Sequence, residues 1–171
     1  MNQIILASHG GLAAGAKDTL EMVLGDVSNV HVVSLARDDK EPITNKVDAM
    51  IATFNADDTV YVLTDMLGSS VNNSMVELSR NGAAFTVISG FNIPLALTLA
   101  MSPAPVKGAE LAALINEART GLTNPNAPVE AAAAPAKKAK APRHSSGPAK
   151  IVLARLDYRL LHGQVVFTWT T

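Results

Sequence analysis

Apolar side chains in the first two thirds of the chain follow two alternating rhythms. Ile4-Ile5-Leu6-Ala7 is a short unbroken apolar run, the pattern of a strand buried on both faces. Leu12, Ala16, Leu20, Val23 and Leu24 then recur at helical spacing, and Gly25 is placed to end that helix. A second strand is predicted at His31-Val32-Val33-Ser34-Leu35, followed by a helix whose apolar face is Ile43, Val47, Met50, Ile51 and Phe54. Thr59 to Thr64 reads as a third strand, a loop at 65–69 follows, and a helix from about Ser70 to Arg80 carries Val71, Met75 and Leu78 on one side. Phe85 to Ser89 is a fourth strand, and further helical periods occupy about Leu95–Met101 and Ala109–Thr120.

Four strands alternating with helices predict an α/β fold: a doubly wound, mostly parallel open sheet covered on both faces. Ligands of such sheets sit at the carboxyl ends of the strands, beside the point where strand order reverses. That rule singles out Ser8-His9-Gly10-Gly11 after strand one and Asp65 to Ser70 after strand three.

Composition divides the rest of the chain. Residues 1–123 have globular texture, and 124–149 hold five of the nine prolines, an alanine run at 131–134 and Lys137, Lys138 and Lys140, which reads as a disordered linker. Residues 151–171 return to mixed apolar and charged positions. Those 21 residues fall short of the roughly 50 at which independent domains begin. A net charge of −1 and 4% aromatics give no surface suited to nucleic acid. With no cysteine in the chain, disulfides and thiolate metal sites are excluded. The N-terminus lacks the basic flank and long apolar stretch of a signal peptide, and no run is long enough to span a bilayer, so a soluble cytoplasmic protein is expected.

His9 is the side chain best placed for chemistry. Two glycines after it leave the imidazole open to an approaching protein, and the helix start that follows offers unpaired N–H groups and a positive dipole end suited to phosphate. Neutral imidazole can accept a phosphoryl group on one nitrogen while the other is tied down, and Asp65 is the expected partner for the second. Gly10, Gly68, Ser69 and Ser70 are candidate phosphate contacts through backbone or hydroxyl groups. His31, opening a strand, reads as structural, and His144, in the linker, as solvated; Met50 and Met75 read as core. No His, Asp and Glu spacing resembles a metal site, and neither a P-loop nor a Gly-x-Ser-x-Gly elbow is present, so no metal or cofactor is expected.

Three stretches, Ile5 to Gly10, Asp65 to Ser70 with Asn73, and Gly90-Phe91-Asn92-Ile93-Pro94, resemble the signature segments of the IIA domain of mannose-type phosphotransferase systems. Ile151 to Val165, with Trp169, resembles the opening of the companion IIB domain of that mannose, fructose and sorbose family. The resemblance implies a flavodoxin-like IIA domain at 1–123, often a strand-exchanged homodimer, then the linker and a IIB start at 151–171. It implies that His9 accepts phosphoryl from phospho-HPr and passes it to a IIB histidine, here matched by His162. Arg155, Asp157 and Arg159 would surround His162, and Arg159 would lend positive charge to the phosphoryl group. The partners so implied are HPr, the IIB domain and the membrane IIC/IID permease, with peripheral association at the membrane.

Two departures stand out: Gly68-Ser69-Ser70-Val71 replaces the usual Gly-Gly-Ser-Pro, and Tyr158 replaces a common aspartate. The short ending leads to the expectation of a truncated product or fragment in which His162 is inactive. Donor docking through a modest apolar surface is expected at Leu12 and Leu67. Two other readings are a phosphotransfer subunit of dihydroxyacetone kinase, disfavoured by the IIB-like segment, and a non-catalytic regulatory module whose phosphorylation signals sugar supply.

Overall fold

The two rhythms become two layers of helix around one sheet. A computed structural model describes residues 1–126, and Met1–Pro125 forms one compact unit. The readings of most of the linker, of His144, and of 151–171 with Arg155, Asp157, Tyr158, Arg159 and His162 fall outside the described residues. The elements run β1 (Asn2–His9), α1 (Leu12–Leu24), β2 (Val30–Leu35), α2 (Ile43–Ile51), β3 (Thr59–Thr64), α3 (Ser70–Arg80), β4 (Phe85–Ser89), α4 (Ile93–Met101) and α5 (Gly108–Arg119). The four strands are all parallel, in the order β2-β1-β3-β4, with Ile4 opposite Val30 on one side and Tyr61 on the other.

Parallel strands covered on both faces explain the unbroken apolar runs. Because successive side chains point to opposite faces, one run feeds two cores. Ile4, Leu6, Tyr61, Leu63 and Ile88 pack under α1, α4 and α5, with Ala13, Leu20, Ala96 and Leu99 from those helices. Ile5, Ala7, Val60 and Val62 pack on the opposite face under α2 and α3, with Val47, Val71 and Met75. Each fully buried Leu or Ile contributes about 1.5–3 kcal/mol relative to exposure. A register slip of one residue would exchange the two sets wholesale.

Several boundaries differ from the periodicity reading for local reasons. α2 stops at Ile51 although Phe54 keeps its apolar phase, because Thr53 and Phe54 donate to carbonyls only three residues back, which tightens the last turn. Phe54 nevertheless lies on the core and against the His31 ring. α4 begins at Ile93, two residues before the predicted start, because the Asn92 side chain accepts from Leu95 N–H at 3.0 Å and Pro94 fits the first turn. Gly25 ends α1 in the left-handed region (φ +80°), as its position implied. On α1, however, Leu12 and Val23 face solvent, and Ala13 takes a buried place instead. Met75 is fully buried and Met50 partly so.

Tyr61 joins the sheet to the α4–α5 connection. Its buried hydroxyl donates to the Val106 carbonyl at 2.9 Å and accepts from the Val106 N–H at 2.8 Å. Removing the hydroxyl in Tyr61→Phe leaves both backbone groups without it, and urea unfolding should register a loss of about 1–3 kcal/mol. An unchanged midpoint would show that water satisfies Val106 equally well.

Candidate active site

The strand order reverses between β1 and β3, so their carboxyl ends form the crevice of this sheet. His9 ends β1 and Asp65 directly follows β3, which makes them neighbours across that crevice. Asp65 Oδ2 accepts from the His9 backbone N–H at 2.9 Å and lies 2.6 Å from His9 Nδ1. The other ring nitrogen, Nε2, lies 2.8 Å from the Ser70 hydroxyl at the start of α3. The His9 side chain is 40% exposed and the Asp65 side chain 5%, so the carboxylate is held from below while the ring faces outward.

Asp65 is saturated with donors. Its Oδ1 accepts from the Met66 N–H at 2.8 Å and from the Ser69 hydroxyl at 3.0 Å, in addition to the two His9 donors on Oδ2. Burial pushes the carboxyl pKa up, but hydrogen bonds from the His9 backbone and ring, Met66 and Ser69 outweigh it and hold the group below its ordinary range. Facing an ionised Asp65, a neutral imidazole carries its proton on Nδ1, which leaves the Nε2 lone pair to accept from Ser70.

The loops that frame the pair are fixed by backbone geometry. Gly10 takes φ +56° and donates its N–H to the Leu35 carbonyl at 2.9 Å, turning the chain away from the imidazole. The Ser8 hydroxyl accepts from the Ala13 N–H, so the residue before His9 secures the first turn of α1. Gly68, also in the left-handed region, is held by the Asn72 side-chain oxygen on its N–H and by the Asn73 side-chain nitrogen on its carbonyl. Ser69 caps α3, accepting from the Asn72 N–H at 3.2 Å.

Of the sequence-selected residues, His9, Asp65, Ser69 and Ser70 meet through side chains, and Gly10 and Gly68 shape the adjoining turns. The hydroxyl proton of Ser69, expected on a phosphoryl group, is directed at Asp65. The Gly90–Pro94 stretch braces the scaffold: Gly90 and Phe91 donate to the Thr64 carbonyl, and Asn92 reaches the Ala118 carbonyl at 2.7 Å. His31 is structural, bonded to Gln3 and packed on Phe54; burial and Lys17 both lower its pKa. Asn72 was missed. Its only sequence signal is an asparagine inside an otherwise sound helix, where that residue is unfavourable unless its side chain is bonded elsewhere.

Leu12, Met66 and Leu67 are exposed at 54%, 56% and 83%, and all three lie on the loops and helix start that flank His9. Among the described residues, no group of three or more His, Asp and Glu could hold a metal ion, and no helix is long and apolar enough to cross a membrane.

Residues 3–118 match the EIIA-man family model, described as PTS system fructose IIA component. The mannose-specific EIIAB component of the phosphotransferase system of Escherichia coli K12 is 33% identical over 179 residues, covering 98% of this chain and 55% of that protein. This chain therefore spans about half the length of that relative. Among solved structures, the PTS IIA protein associated with the fucose utilization operon of Streptococcus pneumoniae is 30% identical with a TM-score of 0.59, covering 72% of this chain and 92% of its own. The mannose/sorbose-specific IIA subunit from Enterococcus faecalis has the same fold, with a TM-score of 0.63 at 24% identity over 74% of this chain and 96% of its own. A parallel four-stranded sheet with a histidine and an aspartate across its crevice thus accompanies a family match over most of the described residues, and the chain belongs to the mannose-type IIA family of the phosphotransferase system.

Proposed function

We propose that the chain is a phosphoryl carrier that takes the group from phospho-HPr onto Nε2 of His9 and yields it to a IIB histidine. The observation that carries this reading is the pair of bonds on the imidazole: Asp65 occupies Nδ1, and the Nε2 lone pair faces outward with the Ser70 hydroxyl at the start of α3 as its partner. Nε2 attacks the donor's phosphorus, the donor P–N bond breaks with its electron pair returning to the donor ring, and a P–Nε2 bond forms. The His9 ring, still protonated on Nδ1, becomes cationic, and the fixed Asp65 carboxylate stabilises that charge.

Ser70 changes partner in this step. Its hydroxyl gives up Nε2 and donates to a phosphoryl oxygen instead. The N–H groups at the very start of α3, ahead of the capped Asn72, add to that attraction. The step breaks one phosphohistidine bond and forms another, so it is close to isoenergetic and positioning supplies most of the catalysis. Leu12, Met66 and Leu67 form the apolar centre of a transient docking surface.

The family likeness supports the wider setting: a homodimeric IIA unit at 1–123, working at the membrane with IIB and the IIC/IID permease in sugar uptake. Within this setting His162 of the IIB-like segment at 151–171 marks the sequence position equivalent to the acceptor histidine of a whole IIB domain, with Arg159 three residues before it.

Phospho-HPr should label the parent protein at Nε2, identified by the NMR signature of the phosphohistidine isomer. The label should vanish in His9→Ala and persist in His162→Ala; a labelled His9→Ala protein ends this reading. Asp65→Asn should slow transfer by about 100-fold, since it removes both the tautomer control and the charge.

The depressed carboxyl of Asp65 also fixes the sign of a pH effect. Its contribution to stability is complete above about pH 4, where the unfolded carboxyl titrates, and is lost as pH falls through the lower folded value. The urea midpoint should accordingly fall less in Asp65→Asn than in the parent between about pH 5 and pH 3. Parallel curves for the two proteins would exclude Asp65 as the source.

A further inference from the structure

The Asp65 carboxylate can orient His9 only if it is itself unable to rotate, and one of the groups that prevent rotation is Ser69, the cap of α3. Ser69 uses its hydroxyl in both directions, accepting from the Asn72 N–H at 3.2 Å and donating to Asp65 Oδ1 at 3.0 Å. Asn72 is 2% exposed and spends its side chain on three anchors. Its amide nitrogen donates to the hydroxyls of Thr64, at 3.0 Å, and Ser89, which end β3 and β4. Its oxygen accepts from the Gly68 N–H at 3.1 Å. Thr64 precedes Asp65 and Gly68 precedes Ser69, so Asn72 holds both sides of the loop that carries the carboxylate.

We infer that Ser69 and Asn72 are positioning residues for phosphoryl exchange: Asn72 fixes the 65–69 loop to the strand ends, and Ser69 fixes the carboxylate that orients the imidazole. The inference rests on the reading of His9 as the phosphoryl site. It also accounts for the local departure from the related motif. Where that motif has glycine and proline, this chain has Ser69 and Val71, so the stiffness that proline's fixed φ gives a helix start is absent. Side-chain hydrogen bonds stand in for it. Ser69→Gly alone therefore does not restore the usual loop, because the proline is still missing.

The carboxylate has two donors on each oxygen. Losing Ser69 leaves Oδ1 with the Met66 N–H alone, so the carboxylate keeps three of its four donors and gains freedom to turn on the Oδ1 side. The His9 ring then loses its sharp alignment while the fold is retained, because glycine is itself a tolerated helix cap.

The test uses the full chain with three variants. In the parent, the Nδ1 proton shared with Asp65 should give a far-downfield proton NMR signal that exchanges slowly with water. Ser69→Gly should keep the parent's circular dichroism, move that signal upfield and speed its exchange. Its phosphorylation by phospho-HPr at saturating donor should slow about tenfold, the effect of one hydrogen bond to a charged group, with KM for the donor unchanged. Ser69→Thr, which keeps the hydroxyl and the cap, should restore both signal and rate. Asn72→Ala should show the same signature more strongly, and if it unfolds the Ser69 pair decides alone.

A Ser69→Gly protein with the parent's ring proton and rate overturns the inference. So does one whose KM alone rises, which would make the hydroxyl a docking contact. If His9→Ala is still labelled, the carrier reading itself fails, and that result is separable because it does not involve Ser69.

Discussion

A short hydrogen bond between His9 Nδ1 and Asp65 Oδ2 spans the crevice between β1 and β3, and the chemistry of the site follows from it. Imidazole has two nearly equivalent tautomers, and only one of them offers an outward-facing lone pair. A carboxylate beneath the ring selects it. The strand order makes the contact possible, since residues 56 positions apart in sequence become lateral neighbours once β1 and β3 pair in parallel. Without the reversal of strand order at this point there is no crevice, and without the crevice the ring would be an ordinary loop side chain.

The aspartate illustrates how a charge can be kept partly buried without forfeiting its ionised form. Burial alone would raise its pKa and favour the neutral form, which would loosen the hold on the imidazole tautomer. Four donors reverse that tendency, two from the residue being oriented and two from the loop behind. Three of them sit on elements fixed by the sheet or by the cap of α3, so order in the scaffold becomes order at the reacting atom. The opposite balance holds at His31, where burial and Lys17 both disfavour the cation, and that histidine serves as packing against Phe54.

Exposure is distributed with similar economy. The helices cover two continuous cores, yet Leu12, Met66 and Leu67 remain open around His9. An isolated exposed leucine is ordinary, but three large apolar side chains flanking a half-exposed imidazole form a surface that can exclude water when another protein docks. Under the proposed carrier reading each partner must be released quickly, and a small apolar centre without deep anchoring suits that need. The candidate site therefore sets a hydrogen-bonded floor beneath an exposed apolar surface.

Much of this was legible in the chain itself. Unbroken apolar runs and helical spacing marked the four strands and five helices of the described residues, because apolar positions must reach a core and each element has only one way of presenting them. The position of His9 after the first strand and of Asp65 after the third, with glycines beside them, was equally visible. Boundaries such as the early end of α2 and the early start of α4 were not, since they depend on which carbonyl a given N–H finds and on a side-chain cap. The exposure of Val23 was hidden for a related reason: helical phase names a face but does not say how much of it the sheet covers. Ser69 and Asn72 mark the deeper limit. Sequence supplies their donors and acceptors, but whether a hydroxyl points to a ligand or to a carboxylate, and whether an asparagine joins two strand ends, is decided only when β3, β4 and α3 come together in space.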